Sequence, residues 1–307
     1  MQPISPFPTL VSVPPVPLRT VGVGRGARVA ATAWTLFLEA RPAVQLVFLQ
    51  RILVTSGFLV VPHPDAGRLL LGWPMLAVAV YVFNGVCDQD EDRVNGSGRP
   101  LAQGRIGIRV AGISCAATGL GGLLLCGWSG PGPLLLAVAS LALGWAYSAG
   151  PRWKDGAVSS ALSVGAGALL TYAAGWLVYG GPHPVLMLGA LLAVWVTCCC
   201  PTKDLSDREG DALAGRRTLP VLLGPVRTGW VLGVVALVAG GLVAAAVLVL
   251  APVFLPVAVV VVVGSVLVAV ALPAASRATD RVGRRRPYLM FLSCQLAINV
   301  AAVAVMV

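Results

Sequence analysis

The feature that most limits how this chain can fold is a series of long apolar stretches. Within 231–250 no polar side chain occurs, and 253–270 is apolar on every face of a helix. A helix of about 20 apolar residues crosses the roughly 30 Å hydrocarbon layer of a bilayer, whereas barrel strands would alternate apolar and polar residues. Charged residues make up only 11% of the 307, against about a quarter in soluble domains. The sequence therefore predicts an all-α integral membrane protein.

Charged residues and prolines divide the chain into nine predicted spans. They are 43–61, 70–85, 110–128, 133–147, 158–179, 184–200, 230–250, 253–272 and 287–307. We expect these helices to form one transmembrane domain over 39–307. The segment before it, 1–38, is predicted to be a disordered cytoplasmic tail, because six prolines fall within its first 28 residues.

The basic residues predict the orientation of the spans. Twenty of the 22 lie before the first span or in the loops after spans two, four, six and eight, which share one side of the membrane. The positive-inside rule places this side and the amino terminus in the cytoplasm, in a multi-pass protein of the cell membrane. The net charge of +10 then needs no nucleic-acid partner, because topology and contact with anionic lipid or substrate account for it.

Two arginines depart from this pattern. Arg68 lies in a loop on the opposite side, and Arg51 lies within the first span. A charge inside a span needs a partner. Arg51 is therefore a candidate functional residue, with a snorkelling or interhelical role as the alternative.

Acidic residues are concentrated in two short windows, each directly after an apolar span. Eight of the twelve occur at 88–92 and 204–211, and both windows fall on the predicted cytoplasmic side, where they can face each other. Residues three or four apart share one face of a helix. The two stripes formed in this way are Asn84, Asp88 and Asp92 in the first window, and Asp204, Asp207 and Asp211 in the second.

Two clusters of carboxylates at the membrane surface need to be neutralised. Solvated loops would explain either cluster alone, but a bound divalent cation explains both. All-oxygen ligands favour magnesium or calcium over zinc, and magnesium typically joins one or two carboxylates to substrate phosphates. The sequence therefore predicts magnesium with a diphosphate ligand. Basic residues in the same loops are candidates for binding its oxygens, among them Arg99, Arg152, Lys154, Lys203 and Arg208.

Three segments resemble the UbiA superfamily of intramembrane prenyltransferases. Residues 84–106 read NGVCDQDEDRVNGSGRPLAQGRI, like the family's N-x-x-x-D-x-x-x-D followed by N-x-x-x-R-P-L-x-x-G. Residues 203–224 read KDLSDREGDALAGRRTLPVLLG, similar to K-D-x-x-D-x-E-G-D with its trailing G-x-x-T-L-P. Between them, YSAGPRWK at 147–154 is similar to a segment that members carry after the fourth helix. The chain departs from the pattern at Gly85, where many members have a second acidic residue, so Gly85 is assigned no ligand role.

The resemblance implies a ring of nine transmembrane helices around a central cavity that opens to the cytoplasmic side. Magnesium at its mouth would hold an isoprenyl diphosphate (geranyl, farnesyl or geranylgeranyl) for transfer to an aromatic or other lipophilic acceptor. The implied metal ligands are Asp88, Asp92 and Asp204, with Asp211 or Asp207, and Asn84 supports the first site. The implied diphosphate contacts are Lys154, Lys203 and Arg208, with Arg99 and Arg152 as further candidates.

Several aromatic side chains could stabilise an allylic cation through their ring faces. Packing against lipid is the alternative for each of them. The candidates are Phe83, Trp145, Tyr147, Tyr172 and Trp195.

Two other functions stay open. A UbiA-type terpene cyclase would ionise the same substrates at the same site, and the motifs do not separate it from a transferase. A transporter would use its acids for ion coupling, which predicts acids near midspan and inverted repeats. The acids here lie at span ends instead.

Overall fold

The chain folds into helices joined by short loops. The structure is a computed structural model that describes residues 25–181 and 183–307, and this part of the chain contains no β-strand. Its helices are α1 (Arg25–Glu39), α2 (Pro42–Thr55), α3 (Pro64–Cys87), α4 (Gln89–Val94), α5 (Ile108–Trp128), α6 (Pro131–Ser148), α7 (Ala157–Tyr179), α8 (His183–Cys199), α9 (Asp204–Leu213), α10 (Leu219–Leu223), α11 (Pro225–Leu250), α12 (Leu255–Ala275) and α13 (Arg281–Met306).

Within these described ranges, eight helical segments are long and apolar enough to cross a bilayer. They are α3, α5, α6, α7, α8 continued into α9, α11, the α12 segment and α13. The chain is therefore a multi-pass membrane protein. The first predicted span, 43–61, overlaps α2, which has only 14 residues and is about 21 Å long. The count of nine spans and the cytoplasmic orientation stay predictions.

Helix α2 ends early because the backbone turns directly after it. The Ser56 amide donates to the Ile52 carbonyl oxygen at 2.7 Å, and Gly57 follows with φ of 61°. This left-handed conformation favours glycine, and a Cβ at Gly57 would also overlap the ring of Tyr179. The predicted helix therefore cannot continue unbroken to residue 61.

The long helices form a closed series of neighbours. Helix α2 contacts α3, and the series continues through α5, α6, α7, α8, α11, α12 and α13, which contacts α2 again. Small residues allow close approach, as between α3 and α5, where a Cβ on Gly122 would lie 2.8 Å from the Gly72 carbonyl oxygen. The series encloses a cavity.

Helix α1 lies where the sequence predicts the end of a disordered tail. The prolines that indicate disorder end at Pro17, and none interrupts 18–41. Leu36 packs against the cluster that contains Val82 and Leu101, and Glu39 is fully buried. Residues 25–38 are therefore helical rather than disordered, while the rest of the predicted tail, 1–24, lies outside the described residues.

Candidate active site at the mouth of the cavity

The first acidic motif lies where α3 gives way to α4. The Asp88 amide donates to the Asn84 carbonyl oxygen at 3.0 Å, and the Asp92 amide donates to the Asp88 carbonyl oxygen at 2.8 Å. The Asn84 side chain also donates to the Asp88 carboxylate at 2.9 Å. Nearly continuous helix geometry thus keeps residues four apart on one side. Asn84, Asp88 and Asp92 all line the cavity, as the sequence predicts.

The second acidic motif follows a break after α8. Pro201 lies in the tight turn Cys200–Lys203 between α8 and α9, and a proline cannot donate the backbone hydrogen bond that would continue a helix. Asp207 and Asp211 on α9 line the same cavity as the first motif. Asp204 is buried outside the lining and lies 3.0 Å from the Lys203 ammonium. The role of Asp204 as a metal ligand stays a prediction.

Gly210 brings the two motifs together. Its amide donates to the side-chain oxygen of Asn95 at 2.7 Å, and a Cβ at Gly210 would lie 2.6 Å from the Glu91 carbonyl oxygen. Only a glycine lets α9 approach α4 this closely. Asn95 lines the cavity and is a site residue that the sequence reasoning missed, although it is the asparagine of the N-x-x-x-R-P pattern.

Two cations share one oxygen of Asp88, and one of them also reaches the second motif. The Lys154 ammonium contacts this oxygen, and a guanidinium nitrogen of Arg216 lies 2.9 Å from it. Arg216 also lies 3.0 Å from Asp211 and 3.2 Å from Glu91. Burial alone would raise the pKa of Asp88, but Arg216 and Lys154 lower it below its usual value.

Arg216 is a second site residue that sequence reasoning missed, because it counted there only as a loop charge. The available signal was its place five residues after Asp211. Burial would lower the pKa of Arg216, but Asp88, Asp211 and Glu91 raise it. Arg216 is therefore a permanent cation that joins both acidic motifs.

The other predicted substrate contacts divide into two groups. Lys203 and Tyr147 line the cavity, and the Lys203 ammonium donates to the Tyr147 hydroxyl at 3.3 Å. Arg152 instead pairs with Asp155 at 2.7 Å and is partly exposed. Arg208 is exposed and outside the lining.

Arg99 lies beneath the first motif rather than in the cavity lining. Its guanidinium lies 2.7 Å from Glu39 and 3.1 Å from Asp92, and it donates to the Tyr81 carbonyl oxygen at 2.7 Å. These contacts hold Asp92 in place. The predicted contact of Arg99 with substrate stays a prediction.

The acidic side chains at the mouth fit magnesium when a diphosphate supplies further ligands. Among residues 25–181 and 183–307, no three carboxylate, histidine or cysteine side chains converge closely enough to hold an ion alone. Magnesium usually takes one or two carboxylates and completes its shell with water and substrate phosphates. Asp88, Asp92, Asp207 and Asp211 surround one mouth and can supply these carboxylates.

Beyond the mouth the cavity has apolar and aromatic walls. The aromatic residues that line it are Phe48, Trp73, Tyr81, Tyr147, Tyr288 and Phe291. Of the five candidates suggested by the sequence, this set contains only Tyr147. In a helix that is apolar on every side, the sequence does not reveal which face points inward, so the other residues could not be chosen from the sequence.

Comparison with known proteins agrees with this architecture. The model of the UbiA prenyltransferase family matches residues 29–296. The chain belongs to this family. A UbiA homolog from Archaeoglobus fulgidus, solved with GPP and Mg2+ bound, shares the UbiA fold with a TM-score of 0.66 and 21% identity. This likeness covers 88% of the present chain and 99% of the homolog.

Curated relatives of this UbiA family member match over part of their length. Naringenin 8-dimethylallyltransferase 2, chloroplastic, from Sophora flavescens is 28% identical over 52% of this chain and 45% of the relative. Homogentisate phytyltransferase 1, chloroplastic, from Arabidopsis thaliana is 31% identical over 51% of this chain and 43% of the relative. The chain thus spans about half the length of the curated relatives it matches.

Proposed function

We propose that this UbiA family member is a magnesium-dependent intramembrane prenyltransferase. It ionises an isoprenyl diphosphate (geranyl, farnesyl or geranylgeranyl) and transfers the prenyl group to an aromatic or other lipophilic acceptor. The observation that carries the proposal is the meeting of the two acidic motifs at one cavity, with Arg216 between them and Lys154 on Asp88. The names of the relatives and the ligands of the Archaeoglobus fulgidus homolog support the substrate class.

The side chains at the mouth divide into metal ligands and diphosphate contacts. Asp88, Asp92, Asp207 and Asp211 would hold magnesium from the lining, and Asp204 stays a further predicted ligand. Asn84 fixes the Asp88 carboxylate through its hydrogen bond. The cations within reach of the diphosphate oxygens are Lys154, Lys203 and Arg216. Magnesium, when bound, stabilises the negative charge that develops on the departing diphosphate.

The reaction breaks the bond between the first prenyl carbon and its diphosphate oxygen, and both electrons leave on the diphosphate. An electron pair of the acceptor forms the new bond to the allylic carbon. The proton that the acceptor loses goes to a diphosphate oxygen. Apolar walls that include Phe48 and Phe291 keep out the water that would otherwise capture the cation.

We also propose that the protein lies in the cell membrane with the mouth open to the cytoplasm. Helix α2 is then the ninth helix that crosses the bilayer, in addition to the eight long segments. Basic residues from the predicted cytoplasmic loops contact the second acidic motif. These contacts support the placement of the loops and the motif on the same side of the membrane. Arg281 lies 3.0 Å from Asp207, and Arg284 contacts Glu209. This arrangement agrees with the positive-inside distribution of charge.

The test is turnover of the three diphosphates by membranes that contain the protein and magnesium, with and without added aromatic acids or quinone precursors. The matched pair of variants is Asp88→Asn, which alters the shared carboxylate, and Asp90→Asn. The Asp90 side chain is 93% exposed and pairs with Arg93 outside the cavity. Prenylated acceptor from wild type and Asp90→Asn, but not from Asp88→Asn, supports the transferase. A cyclic terpene formed without an acceptor overturns it in favour of a cyclase.

A further inference from the structure

A buried arginine lies in the cavity away from the acidic mouth. Arg51 is on α2, ten residues after Arg41, which lines the cavity together with Asp92 and Asp207 of the mouth. At 1.5 Å per residue this separation is about 15 Å along the helix. The Arg51 side chain lines the cavity and is only 5% exposed.

The contacts of Arg51 are polar or aromatic but not acidic. Its guanidinium donates to the side-chain oxygen of Gln295 on α13 at 2.5 Å. The ring centroids of Phe48 and Tyr172 lie 5.4 and 5.7 Å from the guanidinium carbon. The Nε atom has no water-accessible surface and no hydrogen-bond partner.

Arg51 therefore carries a buried charge without a counter-ion. In the described part of the chain, no carboxylate lies within 4.0 Å of its guanidinium. The buried cations near the mouth differ, because Lys154, Arg99 and Arg216 each contact at least one carboxylate. Removing an unpaired charge from water is costly. An anion that neutralises Arg51 is thus expected to come from outside the chain.

The isoprenyl diphosphate does not supply this anion. In the proposed function its diphosphate stays with the aspartates at the mouth, and its prenyl chain is a hydrocarbon. An allylic cation formed in the same cavity would also be repelled by an unbalanced guanidinium. The second substrate is the remaining source of the negative group.

We infer, building on the proposed function, that Arg51 binds a carboxylate of the acceptor and that the acceptor is an aromatic acid. The flat guanidinium accommodates a carboxylate through two parallel hydrogen bonds. The ring of Phe48, which lies beside it in the cavity lining, suits an aryl group. A lipid phosphate fits less well, because its head group would have to leave the membrane surface for the interior of the cavity.

The test compares each aromatic acid with its own methyl ester, so that only the charge changes. The acceptors are 4-hydroxybenzoate, 3,4-dihydroxybenzoate, homogentisate and their esters, supplied with magnesium and each of the three diphosphates to the full chain in lipid nanodiscs. Wild type is expected to prenylate at least one acid with a KM at least roughly tenfold below that of its ester, the effect of a charged hydrogen bond.

Three variants separate recognition of the acid from a structural role of Arg51. Arg51→Gln should raise the KM for the acid at least roughly tenfold, while the KM values for the ester and the diphosphate stay within about twofold. Arg51→Lys keeps the charge, so its KM for the acid should lie between those of wild type and Arg51→Gln. Gln295→Leu removes the interhelical hydrogen bond but keeps the cation, and should retain the preference for acid over ester.

Each remaining outcome has a definite meaning. Equal losses with acid and ester in Arg51→Gln would show that Arg51 only joins α2 to α13, which overturns the inference. Wild-type prenylation of neutral acceptors or lipid phosphates alone also overturns it, while leaving the proposed function intact. Absence of any magnesium-dependent use of the diphosphates sinks the proposed function itself, and this inference with it. If Arg51→Gln does not fold, the KM values of wild type and Arg51→Lys for acid and ester decide between recognition of the acid and a structural role.

Discussion

The carboxylate of Glu39 lies 2.7 Å from the guanidinium of Arg99, and the two side chains are 0% and 6% exposed. Glu39 ends α1, and its second oxygen accepts a hydrogen bond from the Leu101 amide at 2.9 Å. Because Arg99 also contacts Asp92, this pair connects the helix before the first predicted span to the first acidic motif. The position of Asp92 thus depends on a residue more than fifty positions earlier.

We predict that Glu39→Gln lowers the stability of the protein by about 3 kcal/mol, since it leaves Arg99 buried with one carboxylate fewer. Thermal denaturation in a fixed detergent would measure the change. Asp90→Asn is the control, because its exposed pair with Arg93 is worth at most about 1 kcal/mol. Equal melting temperatures for the two variants would contradict the argument.

We also predict that Gly85→Ala destabilises the protein by about 1 to 3 kcal/mol, the usual cost of overpacking. A Cβ at Gly85 would overlap both Glu39 and Arg99, so the substitution pushes this ion pair apart. The same melting experiment applies. Gly112→Ala is the matched control within a helix, since a Cβ there meets nothing within 4 Å. A wild-type melting temperature for Gly85→Ala would show that the pair can move aside.

The bridging role of Arg216 predicts that Arg216→Gln raises the KM for the isoprenyl diphosphate at least roughly tenfold, the value of a charged hydrogen bond. The neighbouring Arg217→Gln should change it by less than about twofold, because the Arg217 side chain is exposed and its backbone bond to Asp155 is kept. Steady-state kinetics with saturating magnesium would compare the two. Similar KM values would remove Arg216 from the diphosphate site.

The pKa of Asp92 in the first motif predicts a pH dependence of magnesium binding. Burial raises the pKa of Asp92 above 3.8, although Arg99 acts to lower it. As the pH rises, the unfolded chain loses the Asp92 proton before the folded protein does. The contribution of Asp92 to stability therefore falls as the pH rises from 3.8 through the raised pKa. Magnesium needs the carboxylate, so its affinity should weaken as the pH falls through the raised pKa of Asp92.

Calorimetry of magnesium binding together with an unreactive diphosphate analogue would detect this coupling as proton release. Measurements in two buffers of different ionisation enthalpy give the number of protons. Asp92→Asn should abolish the release near the pKa of Asp92, and Asp90→Asn should preserve it. Unchanged release in Asp92→Asn would assign the proton to another group.

The sequence predicted those parts of the fold that depend on local pattern. The apolar runs located the long helices, and the spacing of Asn84, Asp88 and Asp92 placed all three on the cavity side. These features follow from helix geometry alone. Orientation relative to the bilayer stays a prediction, because it depends on charges whose surroundings include lipid.

The sequence could not predict contacts between segments that are far apart in the chain. Arg99 looked like a diphosphate contact because its loop is basic, but its partner Glu39 ends α1, a helix whose other residues lie in the segment that was expected to be disordered. Arg216 looked like one loop charge among several, yet it reaches Asp88 across more than a hundred residues. Such pairings form only when the ring of helices brings distant segments of the chain together.

The shared oxygen of Asp88 has a consequence for the order in which ligands bind. Lys154 and Arg216 already neutralise this carboxylate, so a metal ion that arrives alone must compete with two tethered cations. A diphosphate can take over both cations and free the oxygen at the same time. Metal and substrate are therefore expected to bind cooperatively, each raising the affinity of the other by the same factor.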